Sequence, residues 1–359
     1  MSKPLITQVL WTLGRGGAER MVFDLARRLP EHGFRVRVIA AGGGGEMEEE
    51  FRRAHIPLAI GPVTHGLRGR LETVRFLRAQ IRHAWPSVWH THLGGDVWGG
   101  MAAEREGLHP WITTIHDREV DHPFLRRRLR QRMMSRVDHV VCISEFVRAC
   151  VAKEYGRRED VSVIPLGVDV GAFVSRGSRP FAEVPQLVTI GRLVPEKGHE
   201  VLLRGLASVK RPWHLDVIGE GPLRHEIERL SEKLGLMPRV TFVGSVSDVA
   251  ARLTKADVFC FPSAHEGQGI ALLEAAASGV PIVTNDLPVL HETFDPSMLT
   301  FVDSLLSAQA WAEAIESVLA DPYAAMQRAR RAESVISERF TLDRMVQEYV
   351  DLYAHLTYQ

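Results

Sequence analysis

Two glutamates in a Glu-x7-Glu spacing, Glu266 and Glu274, stand in the segment HEGQGIALLEAAASGVP. Glu266 closes a strand-like run, Gly267 and Gly269 make a turn, and Glu274 falls about one and a half turns into a helix. Around Glu274 lie Leu272, Leu273 and the alanines 275–277. A buried carboxylate on so apolar a helix is costly unless hydrogen-bonded, and hydroxyls of a sugar or ribose would supply those bonds. In IGRLVPEKG (Ile190–Gly198), Arg192 and Lys197 sit between a strand and a helix. Two fixed cations beside unpaired helix N–H groups make a phosphate clamp; the plainer reading is a solvated basic pair. LGRGGAER (Leu13–Arg20) offers Gly14, Gly16 and Gly17, through which a ligand can approach backbone N–H groups. That spacing is not GxGxxG, and no acidic ribose partner follows about 20 residues on, so a nicotinamide site is poorly supported. His116 directly follows a strand in TTIHD, where it could hydrogen-bond a polar ligand. His90 and His92 alternate along a strand and share a face, but no carboxylates complete a metal set with them. Gly219–Arg224 (GEGPLR) suits ordinary helix initiation.

All these residues need strands that end where helices begin. Short apolar runs predict strands at Ile6–Trp11, Val36–Ala41, Val88–His92, Trp111–Ile115, Val137–Ile143 and Val161–Pro165. Met21, Val22, Leu25 and Leu29 give the first helix one apolar face, and Ser144 is placed to cap the helix after Ile143. The rhythm breaks in Pro, Gly and Ser between residues 165 and 185, then restarts with strands at Leu187–Gly191, Leu215–Gly219, Val240–Val243, Val258–Phe261 and Val280–Thr284. Helices are expected from Gly198 and Pro222, over Gly269–Ser278, near Ala308–Ala320 and at Leu342–His355. Strands alternating with helices mean parallel βαβ units, hence two α/β doubly wound halves. Ligands in such sheets sit beyond the carboxyl ends of the strands, where the candidate residues lie.

Taken together, GGAER, IGRLVPEKG, GEGPLRHEIERL, VTFVGSV and HEGQGIALLEAAASGVPIV resemble a family 4 glycosyltransferase. Those enzymes have the GT-B fold, two facing Rossmann-like domains with a cleft between them. The resemblance implies an acceptor-binding domain over 1–170, a linker over 171–185 and a nucleotide-sugar domain over 186–340. It also implies a helix over 341–359 that packs back on the first domain. Arg192 and Lys197 match the pair that binds the diphosphate, Glu274 the carboxylate that takes the ribose hydroxyls, and Glu266 the glutamate near the donor sugar. Gly269 and Ile270 match the helix start that holds phosphate oxygens, and Ser245 and Val246 the loop that recognises the base. Gly16 and Gly17 match the first domain's loop onto diphosphate and acceptor, and His116 the histidine beside the reacting centre.

The resemblance further implies transfer with retention from a UDP- or GDP-linked sugar to a glycan or lipid-linked acceptor in surface polysaccharide or glycolipid biosynthesis. Cations and a helix dipole would stabilise the leaving diphosphate, so no cofactor and no metal are expected. The rival readings are an epimerase of the same fold and a catalytically silent partner of another transferase. Gln268 replaces a frequent aromatic, Leu166 replaces the usual Asn, and Glu292 stands in an altered segment, Asn285–Phe294.

Composition bounds the rest. The 359 residues carry 44 Lys+Arg and 44 Asp+Glu, which weighs against a nucleic-acid-binding chain. Neutrality hides a division: residues 1–170 hold 26 Lys+Arg against 20 Asp+Glu, the remainder 18 against 24. Arg118, Arg126, Arg127, Arg128, Arg130, Arg132 and Arg136 concentrate the basic excess in one stretch, suited to a solvated helix or to an anionic membrane surface. Three scattered cysteines form no disulfide framework, and no apolar run would span a bilayer or act as a signal peptide. The expected location is cytoplasmic, with peripheral attachment to the inner face of the membrane as its companion.

Overall fold

The apolar runs become parallel strands in the computed structural model, which describes residues 3–64, 66–117, 124–304 and 306–358. Arg118, at the head of the basic stretch, lies outside the described residues. The chain divides into two units, Met1–Leu166 with Asp343–Gln359, and Gly167–Leu342.

The first unit holds β1 (Leu5–Leu10), β2 (Arg35–Ala40), β3 (Leu58–Ile60), β4 (Val88–His92), β5 (Trp111–Ile115), β6 (His139–Cys142) and β7 (Val161–Val163). Its helices are α1 (Gly17–Arg28), α2 (Glu48–Arg53), α3 (Gly66–His83), α4 (Gly95–Glu106), α5 (Phe124–Met134) and α6 (Glu145–Tyr155). The strands lie in the order β3-β2-β1-β4-β5-β6-β7. Ile6, Val9, Val38, Ile39, Val140 and Val141 are fully buried, as expected for parallel strands covered on both faces. Met21, Val22, Leu25 and Leu29 form the buried face of α1 and its extension. Ser144 caps α6, its Oγ accepting the Val147 N–H at 3.1 Å. The C-terminal helix (Leu342–Tyr358) sends Tyr349 and Tyr353, both fully buried, into this unit.

The second unit holds β8 (Gln186–Ile190), β9 (His214–Ile218), β10 (Val240–Gly244), β11 (Val258–Phe261), β12 (Ile282–Asn285) and β13 (Thr300–Val302), ordered β10-β9-β8-β11-β12-β13. With them go α7 (His199–Leu206), α8 (Arg224–Lys233), α9 (Val249–Lys255), α10 (Ile270–Ala277), α11 (Ala308–Ala320) and α12 (Pro322–Arg339). Its core joins Leu187, Leu215, Val217, Val258 and Val283 to Leu202, Leu206, Trp311 and Ile315. Gly205 lets α11 come close: a Cβ there would sit 2.8 Å from the Trp311 Cβ.

Residues 171–185 are built into the second unit. The Arg176 side chain is fully buried and pairs with Asp257 at 2.7 Å. It also donates to the carbonyls of Ala256 (3.1 Å) and Pro180 (3.2 Å). The second Asp257 oxygen accepts the Gln186 N–H at 2.9 Å. This buried pair, with Arg179 also 3.2 Å from Asp257, ties down a segment whose Pro, Gly and Ser suggest a linker, and the division falls at Leu166/Gly167. Each sheet reverses its strand order once, between β1 and β4 in the first unit and between β8 and β11 in the second. Those reversal points are where an open parallel sheet leaves a crevice for a ligand.

Candidate active site

In the second unit the loops after β8 and β11 flank the reversal point. Arg192 is exposed at the start of the β8 loop and has no carboxylate partner among the described residues. Lys197 closes that loop and pairs with Glu266 of the β11 loop, Nζ to Oε1 at 2.5 Å. The lysine side chain keeps 25% of its surface exposed and the glutamate 9%, so the pair is sheltered but reachable. The two loops are stitched together elsewhere. The Ala264 N–H donates to the Glu196 carbonyl at 2.8 Å. Gly198 has φ +65, and a Cβ on it would lie 2.1 Å from the Pro262 carbonyl oxygen. From β12, Asn285 donates its amide to the carbonyls of Pro262 (2.7 Å) and Ser263 (3.0 Å), fixing the approach to Glu266.

Two glycines of GEGPLR make room for the Arg192 loop. A Cβ on Gly219, whose φ is +139, would fall 2.0 Å from the Gly191 carbonyl oxygen, and one on Gly221 2.5 Å from that of Leu193. Their role is close approach of backbone to backbone, beyond helix initiation. His199 completes the support. It is buried, held neutral with its pKa pushed down to about 4 by burial, and its Nε2 lies 3.3 Å from the Arg192 carbonyl. Helix α10 begins at Gly269 (φ +86), so its first N–H groups, Ile270 among them, face outward from the helix start. Glu274 is half-buried between fully buried Leu273 and Ala275, less enclosed than the apolar sequence around it suggests. Ser245 and Val246 follow β10 at the same end of the sheet. Cations, helix N–H groups and a carboxylate at one strand end can hold a diphosphate and a polyhydroxyl group.

In the first unit Gly16 caps α1 and Gly17 opens it. A Cβ on Gly16 would lie 2.6 Å from Oε2 of the buried Glu19. The four glycines 42–45, which follow β2, pack on the loop after β1: Gly42 donates to the Trp11 carbonyl at 2.7 Å, and a Cβ on Gly45 would lie 2.3 Å from the Leu13 carbonyl oxygen. Leu93, just past β4, has φ 48, a left-handed conformation uncommon for leucine, at the reversal point itself. His116 follows β5 and reaches His92, Nε2 to Nδ1 at 3.2 Å. Burial pushes its pKa down to about 4, against a weaker raising effect of the Asp117 charge. His90 and His92 are fully buried and held well below the ordinary histidine range, chiefly by burial. All four of their ring nitrogens are engaged: Tyr353 and Thr114 for His90, His116 and Gln8 for His92.

The basic stretch separates into two kinds of arginine. Arg130 is buried against Asp96 at 2.8 Å, and Arg132 and Arg136 both reach Glu104, at 2.8 and 2.6 Å. Arg130 and Arg132 tie α5 to α4, and Arg136 ties the residues just after α5 to it. Arg126 lies instead beside Gly94, and its charge depresses the pKa of Arg70, after the larger effect of burial. The Arg70 guanidinium stands over the rings of Trp11 (4.5 Å) and Trp98 (5.4 Å). Neither arginine has a carboxylate partner among the described residues, and together they make a cationic, aromatic-floored patch at the reversal point. No described helix is long and apolar enough to cross a membrane.

Of the residues singled out in the sequence, Arg192, Lys197, Glu266, Gly269, Ile270, Glu274, Ser245 and Val246 follow strands at one end of the second sheet. His116, Gly16 and Gly17 are likewise at the strand ends of the first unit. Sequence reading overlooks His199, Asn285, Arg70 and Gln8. Two of them carry a signal: Gln8 is a polar residue inside an apolar strand, and Asn285 ends one.

Residues 15–172 match the family model described as Glycosyltransferase Family 4, and residues 174–335 that described as Glycosyl transferases group 1. A GDP-mannose-dependent alpha-(1-6)-phosphatidylinositol monomannoside mannosyltransferase of Mycobacterium tuberculosis is 25% identical, with 98% of each chain covered. A 2-deoxystreptamine glucosyltransferase of Streptomyces kanamyceticus is 26% identical over 89% of this chain and 94% of its own. Among solved structures, Anabaena Alr3699/HepE in complex with UDP and glucose superposes with a TM-score of 0.88 at 20% identity, covering 98% of this chain and 100% of that one.

Proposed function

Because the chain belongs to the family 4 glycosyltransferases, we propose that its second unit binds a UDP- or GDP-linked hexose and that the hexose passes, with retention, to an anionic acceptor. The observation that carries this reading is the convergence of Arg192, the Lys197–Glu266 pair, the start of α10 and Glu274 at the β8/β11 reversal point. Arg192 and the α10 N–H groups meet the diphosphate, and Glu274 accepts hydrogen bonds from the ribose hydroxyls. As the sugar–phosphate bond breaks, charge grows on the leaving diphosphate, where fixed cations and N–H dipoles lower the barrier. These cations take the place a resident metal would have, so turnover is metal-independent on this reading. Lys197 exchanges its hold on Glu266 for the phosphate, which frees the carboxylate toward the donor sugar. Retention follows a same-face path in which the leaving phosphate helps to deprotonate the acceptor, and no protein nucleophile is assigned. His116 hydrogen-bonds the donor sugar near its reacting carbon.

The acceptor's anionic group is met by Arg70 and Arg126 of the first unit. A phosphorylated or lipid-linked acceptor in surface polysaccharide or glycolipid biosynthesis fits that charge. The name of the mycobacterial relative supports a lipid acceptor and a GDP-mannose donor; the cyanobacterial complex supports UDP. Release of nucleoside diphosphate across a panel of sugar nucleotides, with and without a phosphorylated acceptor and with EDTA, identifies the donor. Proton NMR of the product then gives the anomeric configuration. Acceptor-dependent release retained in EDTA, with the donor's anomer preserved, supports the proposal. Isomerised donor, inverted product or no release contradicts it.

A further inference from the structure

The first unit contains a buried chain of side-chain hydrogen bonds that joins the C-terminal helix to His116. Gln8, in the middle of β1, stands at its centre. Its amide nitrogen donates to the Tyr353 hydroxyl at 2.9 Å, and its amide oxygen lies 2.7 Å from Nε2 of His92. A carboxamide oxygen only accepts, so His92 carries its proton on Nε2. That ring is neutral, so its Nδ1 is a bare acceptor, and the contact at 3.2 Å obliges Nε2 of His116 to donate. The other arm is consistent. Tyr353, having accepted from Gln8, gives its own proton to Nδ1 of His90 at 2.6 Å. Nε2–H of His90 then donates to the Thr114 hydroxyl at 2.7 Å, and Thr114 donates to the Tyr349 hydroxyl at 3.0 Å. Tyr349 ends the chain on the Met21 sulfur at 4.0 Å, a weak acceptor.

We propose that this one-way chain fixes His116 as the tautomer protonated on Nε2, leaving Nδ1 a hydrogen-bond acceptor for a substrate hydroxyl. Gln8, His92 and Tyr353 are then positioning residues that act through His116. The sense of the chain depends on one group: turning the Gln8 amide over would reverse every bond except the terminal one to the Met21 sulfur, which would be lost, and present Nδ1–H of His116 as an outward donor instead. Low dielectric makes either complete chain stiff, since a single reversal would set two donors or two acceptors against each other. The proposal assigns an acceptor role to a residue that the proposed function sets beside the donor sugar, and in that respect rests on it.

Histidine 15N chemical shifts read the tautomer directly at pH 7, in the full chain, with no substrate present. His116→Gln assigns the resonance. The expected wild-type spectrum has Nε2 protonated and Nδ1 bare. Tyr353→Phe, which removes both the acceptor for the Gln8 amide and the proton for His90, is expected to give a mixture of tautomers. With the donor found by the nucleotide panel, that variant is expected to lose about tenfold in kcat at little change in donor KM. Gln8→Leu serves as a second variant if Tyr353→Phe does not fold. A wild-type spectrum with Nδ1 protonated, or a tautomer ratio unmoved in a folded variant, overturns the proposal. A merely structural role predicts the latter, with only the melting temperature lowered. Failure of all donors to turn over would contradict the proposed function and leave the tautomer assignment standing on the spectrum.

Discussion

Replacing Lys197 by methionine, alone and together with Glu266→Gln, separates service to a ligand from service to a neighbouring carboxylate. Methionine keeps most of the apolar stem and removes the charge. The lone substitution leaves Glu266, 9% exposed, without the cation 2.5 Å away. Breaking a fully buried pair costs about 3–5 kcal/mol and an exposed one about 0–1, and this pair, open at the lysine end, falls between at about 1–2. For a unit of this size that is a melting temperature lower by about 2–8 °C. The double variant recovers most of it, because a neutral glutamine needs no cation. Nucleotide affinity behaves differently. A charge-assisted contact to the diphosphate contributes about 1.5–3 kcal/mol, or about 10- to 150-fold in Kd. That loss persists in the Glu266→Gln background if Lys197 touches phosphate. Calorimetric titration with UDP and GDP, beside thermal melts of the four proteins, measures both. Equal Kd values for Glu266→Gln and the double variant would refute the phosphate role and leave Lys197 as a structural partner alone.

Further outcomes follow from other parts of the fold. Arg176→Met removes the buried cation from Asp257, which keeps Arg179 at 3.2 Å and the Gln186 N–H, and is expected to cost about 1–3 kcal/mol in chemical denaturation, with part of it recovered by adding Asp257→Asn. Gly219→Ala puts a Cβ 2.0 Å from the Gly191 oxygen in a backbone region that disfavours side chains. It should destabilise by about 1–3 kcal/mol and weaken nucleotide binding by displacing the Arg192 loop, and a wild-type melt and Kd would contradict this. Five histidines, His90, His92, His116, His139 and His199, have their pKa lowered, chiefly by burial. The unfolded chain therefore takes up their protons first as pH falls. Stability is complete above about pH 7, drops below about 6.5, and continues to fall towards pH 4, by roughly 1.4 kcal/mol per unit for each histidine. Urea titrations at pH 7, 6 and 5 measure the slope, and a flat profile would contradict neutral burial.

Most of the fold was legible because buried parallel strands write themselves as apolar runs. Val88–His92, Trp111–Ile115 and Val258–Phe261 coincide with β4, β5 and β11 to the residue. Helix α12 is hard to read from the sequence because its buried stripe is mostly alanine, Ala325, Ala329 and Ala332, with one larger residue, Ile336. Strands β3 and β13 span three residues each, too short to show a period. Within the site, residue types announced the cations and glutamates, but pairing is a tertiary fact. Lys197 and Glu266 are 69 positions apart, and no spacing rule foretells that they form one ion pair. Composition likewise cannot show that residues 171–185 are tied down, since that depends on Arg176 and Arg179 meeting a distant aspartate. Gln8, the partner of His92 on β1, in turn bonds Tyr353 of the C-terminal helix, so the chain joins residues from the two ends of the sequence, where local pattern carries no information.

On the proposed function, the crevice between the β8 and β11 loops holds a nucleoside diphosphate, with Glu274 on the ribose. Calorimetric comparison of ribonucleoside diphosphates with their 2′,3′-dideoxy counterparts tests it most directly, in wild type and Glu274→Ala. Hydrogen bonds to a charged group contribute about 1.5–3 kcal/mol, so the wild type should prefer the ribose form by at least about tenfold. The preference should vanish in Glu274→Ala. Equal wild-type affinity for ribose and dideoxyribose forms, or a preference that survives the substitution, would contradict the account.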